Sequence, residues 1–499
     1  FGSRLRLKLG RGYPSGGDMA SPLTRRRTAS LTDGFGNDGD AFEDFSTMEN
    51  APIKVVKEMR KLKVMCISTP EAGHLVPLVN VAVALALRQH DVQVVTCDWA
   101  RPKMEKICNK AGCKFVGVAP EVKAAESGEG VAAEFKAVDK MVCMFWYYND
   151  MMAAPVMELV QKQKPDVILG DFITPCSWEV ADAMKIPVVI NIPGPLAFTQ
   201  LVAPAKKAMA KCMAWFKLPR DERIGTFRVY DELEKLLYDR PILMHTFFGL
   251  EAAAPIRPNI VVTGTPAPRL PPGGAKDTSM PELNTWLQLV RSKSLKVVYV
   301  TMGSMQILTK DQVNAIYVGL EGLKGCAVLW SLKEDQQAFL PSGGAAGLPP
   351  QFFVNKWLPQ SEALQLPEVA VVVTHCGWGG LNETINAGKP IVATPFRADQ
   401  PLNAKVAEKR GLAVVVSTKK MRAAEIGSAV EKVLGNPEYK KCAEELRAVL
   451  LRTGGAEKCA EAVEFFSQGC AEYCSKLPTL GDRLKERVPL FVMLAMSAA

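Results

Sequence analysis

The sequence is short of most signals that assign a chain quickly. It has no C-x-x-C pair, and its 13 cysteines fall at no regular spacing, which argues against a zinc ribbon and against a secreted disulfide framework. Unspaced thiols in odd number fit a reducing, cytosolic setting. Only four histidines are present, so imidazole chemistry has few candidates. No apolar run reaches the roughly 18 to 20 residues that cross a bilayer. The terminal "VPLFVMLAMSAA" reads as a tail or packing segment, with peripheral membrane association the most it allows. No G-x-x-x-x-G-K-[ST] occurs, so there is no Walker lysine. The 61 Lys and Arg against 52 Asp and Glu give a net charge of +9, scattered along the chain, and nucleic acid is not an expected partner.

What is present is the composition of a soluble enzyme. Hydrophobic residues make up 48% and charged residues 23%. At 499 residues the chain exceeds one ordinary core, and two large domains are expected. Residues 1–60 pass from basic to acidic through Gly and Ser, the composition of a disordered arm. Within it Met19 is an alternative start, the arginines before Thr28 resemble a kinase site, and Asp38-Gly39-Asp40 mimics a metal-binding D-x-D by coincidence.

From Lys61 strands and helices alternate. "KLKVMCIST", "VQVVTC", "DVILGD", "IPVVINIPG", "PILMHTFFGLE" and "NIVVTGT" read as strands, with "LVPLVNVAVALALRQ" a buried helix. Residues 265–290, opening on "TPAPRLPPGGAKDTSMPE", read as a linker. The alternation then restarts with "LKVVYVTMGS" and runs through "VAVVVTHCGWGG", a helix from about Leu381, and "LAVVVS". The expected organisation is an arm (1–60), a first domain (61–264), the linker (265–290), a second domain (291–455), a helix returning to the first domain (456–475) and a tail (476–499). Both domains are α/β with doubly wound parallel sheets, and ligands are expected at the carboxyl ends of the strands, in the cleft between the domains.

One stretch concentrates chemistry: "WLPQSEALQLPEVAVVVTHCGWGGLNETINAGKPIVATPFRADQ". After its buried strand, residues 375 to 380 form a glycine-rich strand-to-helix turn. The amides of such a turn attract phosphate at a helix N-terminus, and a diphosphate is the simplest occupant. A structural turn is the plainer reading. Zinc fails on ligand count, because His375 and Cys376 are adjacent and no second pair follows.

The spacing W-x-P-Q, H-C-G-W, Glu five residues after that Trp, G-x-P and D-Q resembles the signature box of the inverting UDP-dependent glycosyltransferases of family one. The resemblance implies the GT-B fold and a role for each residue. Trp357 would stack on uracil and Gln360 reach the base or ribose. His375 with the amides of Gly377, Gly379 and Gly380 would hold the diphosphate. Glu383 would take the ribose hydroxyls, and Trp378, Asp399 and Gln400 would surround the sugar, with Gln400 leaning to glucose. Gly303 and Ser304 of "VYVTMGS" would approach the nucleotide. Gly379 and Gly380 depart from the family, which commonly carries Asn and Ser there.

The remaining half of the chemistry is a base. "TPEAGHLVPL" sets His74 in a loop at a helix N-terminus, which favours a neutral imidazole. In the resembled family the histidine of G-H-x-x-P, here His74 with Pro77, is the general base, and Asp171 matches the aspartate that orients it. Plainer readings are a helix cap for His74 and an N-cap for Asp171. His90 and His245 read as structural. The expected activity is transfer of a hexose from a UDP-sugar to a hydroxyl of a small lipophilic acceptor by a cytoplasmic monomer. UDP-sugar serves as co-substrate, with no metal and no further cofactor. A nucleotide-sugar epimerase of the same fold and an inactive UDP-sugar-binding relative are the alternatives. The acceptor itself is left open, with the Met- and aromatic-rich segment from Glu121 to Val156 as candidate lining.

Overall fold

The computed structural model of the chain describes residues 60–119, 137–196, 240–253, 256–268, 274–304, 306–341 and 344–468. Met19, Thr28, Asp38 to Asp40, the first part of the Met- and aromatic-rich segment, the centre of the linker and the C-terminal tail lie outside the described residues. Seven strands build the first sheet: β1 (Lys63–Ile67), β2 (Asp91–Cys97), β3 (Lys114–Val118), β4 (Val167–Asp171), β5 (Val188–Ile192), β6 (Ile242–Met244) and β7 (Ile260–Val262). Six build the second: β8 (Lys296–Thr301), β9 (Cys326–Ser331), β10 (Phe352–Asn355), β11 (Val369–Thr374), β12 (Ile391–Ala393) and β13 (Ala413–Val415).

The orders are β3-β2-β1-β4-β5-β6-β7 and β10-β9-β8-β11-β12-β13, with every pairing parallel. In each sheet the strand order reverses once, between β1 and β4 and between β8 and β11. The chain leaves adjacent strands in opposite directions there and opens a crevice at their carboxyl ends.

Side-chain alternation explains why these strands are apolar without a break. Val64 and Cys66 of β1 pack with one face of the first sheet, and Met65 and Ile67 with the other. In β8, Val298 and Val300 enter one core and Val297 and Tyr299 the opposite one. Strands covered on both faces need hydrophobic residues at every position, which "KVMCI" and "VAVVVT" supply.

Two boundaries differ from the sequence reading. The helix Pro281–Ser292 begins inside the expected linker. Leu283, Trp286, Leu287 and Val290 recur at helical spacing and join the core of the second sheet. The helix expected from about Leu381 begins at Trp378 instead, so Gly379 and Gly380 occupy its first turn.

The last described helix, Gly455–Gln468, packs on the first sheet, where Cys459, Ala460, Ala462 and Val463 join Leu75, Leu78 and Leu85 of the helix Ala72–Leu87. A charged knot fastens it. Arg88 donates through Nε and Nη2 to the two oxygens of Glu464, each at 2.7 Å, and His90 Nε2 donates to Oε1 at 2.8 Å. The Leu62 N–H donates to His90 Nδ1 at 3.2 Å, which fixes the tautomer and gives His90 its structural role. These bonds hold the Glu464 carboxyl below its usual range against the opposing effect of burial. Removing one member of a buried pair costs about 3 to 5 kcal/mol. Arg88 is one-third exposed, which reduces the expected figure. Glu464→Ala is therefore expected to lose about 2 to 3 kcal/mol in urea denaturation at neutral pH; a loss under about 0.5 kcal/mol would show that the knot does not fasten the helix.

Candidate active site

His74 and Asp171 meet at the reversal point of the first sheet. Asp171 ends β4, and His74 lies in the first turn of the helix Ala72–Leu87 that follows β1. Asp171 has no exposed surface, so its carboxylate requires partners. His74 Nδ1 supplies one, 3.0 and 3.2 Å from the two oxygens, and the Ile173 N–H donates to Oδ1 at 3.1 Å. The carboxylate can only accept, so Nδ1 carries the imidazole proton and Nε2 keeps its lone pair. Burial tends to lower the His74 pKa, but the charge and hydrogen bond of Asp171 outweigh it, and the value stands above the ordinary 6.5. The helix end expected to keep His74 neutral is overruled by the adjacent carboxylate. Phe145 and Phe172 flank the ring, with centroids 5.3 and 5.7 Å away. Phe145 lies in the Met- and aromatic-rich segment read as candidate acceptor lining, whereas Phe172 was not singled out in the sequence.

The second sheet builds a matching surface. His375 follows β11, and Gly303, at φ +71°, follows β8. A Cβ on Gly303 would come within 2.7 Å of the His375 ring, and one on Gly377 within 2.6 Å, so both glycines exist to make room for that imidazole. Burial and the charge of Arg397 push the His375 pKa down to about 4, which leaves the ring neutral. Gly377 caps the helix Trp378–Asn386 without a side chain, so no cap bond occupies the amides of Gly379 and Gly380, while the Trp378 N–H is taken by Asp399. The two glycine amides are open to an anion.

Three further residues are held rather than loose. Gln360 Oε1 accepts from Thr301 Oγ1 at 3.0 Å and from Tyr299 OH at 3.4 Å, while Nε2 donates to Glu383 Oε2 at 2.5 Å. The Gln360 amide therefore orients a carboxylate whose pKa burial has raised. Asp399 is likewise pushed up by burial, an effect opposed by Asn403 Nδ2, 2.6 Å from Oδ2, and by the backbone N–H of Trp378. Gln400 Oε1 accepts the N–H groups of Phe396 and Arg397 at 2.9 and 3.1 Å, which shapes the loop before the helix Gln400–Lys409. Trp357 stands 64% exposed, an indole face open for stacking, and Ser304 is exposed beside Gly303. Thr301, Arg397 and Asn403 were missed in the sequence; the last lies four residues after Asp399 on one helix face, a spacing that could have revealed it.

The Trp378 indole is buried: it is 5% exposed, packs with Phe247 and Leu250, and donates from Nε1 to the His245 carbonyl at 2.8 Å. Helical geometry aims side chains back toward the N-terminus, and here that direction leads into the apolar junction with the first domain. His245 is core as read, with its pKa pushed down to about 3 by burial. The helices beginning near His74 and at Trp378 touch each other, and His74 and Asp399 feel each other's charge. The two carboxyl-end crevices thus form one site.

Residues 226–450 match the family model described as UDP-glucoronosyl and UDP-glucosyl transferase. The anthocyanidin 3-O-glucosyltransferase of Zea mays is 34% identical over 211 residues, 40% of this chain and 44% of that protein. Mouse UDP-glucuronosyltransferase 2A3 is 25% identical over 396 residues, covering 70% of this chain and 68% of its own. Over residues 226–450 the chain is similar to this UDP-glycosyltransferase family. A solved UDP-glucose:anthocyanidin 3-O-glucosyltransferase in complex with UDP superposes with a TM-score of 0.61 at 19% identity, covering 84% of this chain and all of that one. The likeness establishes the GT-B fold. The match to the maize relative spans less than half of that protein's length.

The family's usual Asn and Ser are missing at Gly379 and Gly380, and space is not the reason. A Cβ on Gly379 would meet nothing within 4 Å, and one on Gly380 only Thr374 Oγ1 at 4.0 Å. Adding side-chain donors should therefore help hold a diphosphate without strain. The double variant Gly379→Asn, Gly380→Ser is expected to bind UDP about 10- to 100-fold more tightly in calorimetry, as one added hydrogen bond to a charged group suggests; unchanged affinity would show that the open amides alone are sufficient.

Proposed function

We propose that the chain transfers glucose from UDP-glucose to a hydroxyl of a small, lipophilic acceptor of the phenol class, with inversion at the anomeric carbon. The observation that carries this reading is the His74–Asp171 pair, set against the capless helix of the second sheet. His74 Nε2 takes the proton of the acceptor hydroxyl as its oxygen attacks the anomeric carbon. Asp171 holds the proton on Nδ1 and stabilises the imidazolium that forms. UDP departs on the opposite side.

The second domain holds the donor. Trp357 stacks on uracil, and Glu383, oriented by Gln360, accepts hydrogen bonds from the ribose hydroxyls. His375, the amides of Gly377, Gly379 and Gly380, and the Gly303–Ser304 loop surround the diphosphate. Partial positive charge at the helix N-terminus stabilises the leaving group, so no metal or further cofactor enters the proposed step. Asp399 and Gln400 bound the sugar. Phe145 and Phe172 give the acceptor side apolar, aromatic walls, which suits a phenol. The maize relative's name, an anthocyanidin glucosyltransferase, points the same way.

Work in a reducing, cytosolic setting belongs to the same proposal, supported by nine described cysteines that form no disulfide. No helix among the described residues is long and apolar enough to cross a membrane.

The base assignment has a direct test. His74→Ala is expected to lose about 100- to 10,000-fold in turnover while still binding UDP. The acidic limb of the wild-type rate profile should lie above pH 6.5, because protonated His74 cannot act as base and its pKa is raised. Asp171→Asn removes the raising charge and leaves burial, so the limb should shift downward while the rate falls. Full turnover without His74 would remove it from this role, and conversion of UDP-glucose alone into another sugar nucleotide would favour an epimerase.

A further inference from the structure

Trp378 opens the helix that carries the donor-side amides, yet its indole turns elsewhere. Its carbonyl accepts from Asn382 Nδ2 at 2.9 Å, and its backbone N–H is committed to Asp399. The indole leaves the donor side and enters an apolar cluster drawn from both domains, with Phe247 and Leu250 from the first and Cys376, Leu381 and Ile385 from the second. At the end of this path Nε1 donates to the His245 carbonyl at 2.8 Å.

That carbonyl is a fixed point of the first domain. The His245 N–H donates to the carbonyl of Ile192, the last residue of β5, at 3.1 Å, and the His245 ring lies 3.8 Å from Cys459 Sγ on the last described helix. The loop beyond it is tied by Glu251, which accepts from Thr246 Oγ1 and from the Leu196 N–H. A buried indole N–H and a buried carbonyl each need a partner, so their bond sets a definite separation between the domains. The same turn carries His375 and directs Asp399, and the helix of His74 touches the helix of Trp378.

We infer that Trp378 is a positioning residue, which pins the diphosphate turn to the His245 carbonyl and thereby fixes the distance from the anomeric carbon to the His74–Asp171 base. The inference rests on the transferase reading above. Donor binding needs only the second domain, whereas transfer needs both domains in register. A displacement of about 1 Å between reacting groups can cost on the order of 100-fold in rate.

Trp378→Phe keeps the apolar packing and the backbone amides and removes only the N–H donor. Calorimetry with UDP and steady-state assays with UDP-glucose and a phenol panel would read its effect. The expected result is a UDP affinity within about twofold of wild type, a kcat for transfer at least about tenfold lower, and a higher ratio of UDP-glucose hydrolysed to sugar transferred. Wild-type kcat and ratio would overturn the inference. So would a fall in UDP affinity that matches the fall in kcat, since the indole would then serve the nucleotide. Equal losses of hydrolysis and transfer that track the folded fraction would show a role in stability alone. A wild-type protein that binds no UDP and transfers no sugar would sink the transferase reading itself.

Should the phenylalanine variant fail to fold, hydrogen exchange of the indole N–H groups in the unmodified protein tests the pin independently. The Trp378 N–H should be strongly protected with and without UDP, and fast exchange in either state would overturn it.

Discussion

A carboxylate with no exposed surface, placed at the end of a buried strand, is the constraint around which this site is built. Asp171 is compensated by the His74 ring and the Ile173 amide, and each consequence follows from that compensation. The imidazole proton is fixed on Nδ1, Nε2 is left as the basic atom, and the ring cannot swing away without leaving a buried charge unpaired. The position at the reversal between β1 and β4 then aims the base out of the first sheet toward the second.

The second domain answers with positioned dipoles rather than charges. His375 is neutral, the amides of Gly379 and Gly380 are uncapped, and the acidic residues, Glu383 and Asp399, are each restrained by a neighbouring amide. Such a surface suits a ligand that brings its own negative charge in one part and hydroxyls in another. Backbone conformation is part of the construction: Gly303 and the buried Cys376 adopt positive φ on either side of His375. A non-glycine residue held at φ +64° is a strained position of the kind found where geometry is dictated by function.

Much of this was legible in the sequence, for physical reasons. Parallel strands buried on both faces must be continuously apolar, so "VAVVVT" and "KVMCI" announce themselves, and residues at their carboxyl ends are the natural site. His74 and His375 follow from that rule before any resemblance is invoked, whereas Asp171 was reached through the resemblance. What was hidden depends on direction in space. Trp378 sits inside the box, but its indole points into the domain junction, which one-dimensional spacing does not reveal. Gln360 likewise spends its amide on Glu383, and Thr301, 59 residues away, holds its carbonyl. The helix Pro281–Ser292 was masked by the Pro- and Gly-rich stretch before it, although Leu283, Trp286, Leu287 and Val290 carry the helical period.

The account turns on a single displacement in which one base activates the acceptor while UDP leaves from the other face. The stereochemistry of the product tests this most directly. UDP-α-glucose and a phenolic acceptor, incubated with the protein and read by the anomeric proton coupling in NMR, should give the β-glucoside. An α-glucoside would contradict the account, because retention requires either a second displacement or a front-face path that the His74–Asp171 pair does not serve.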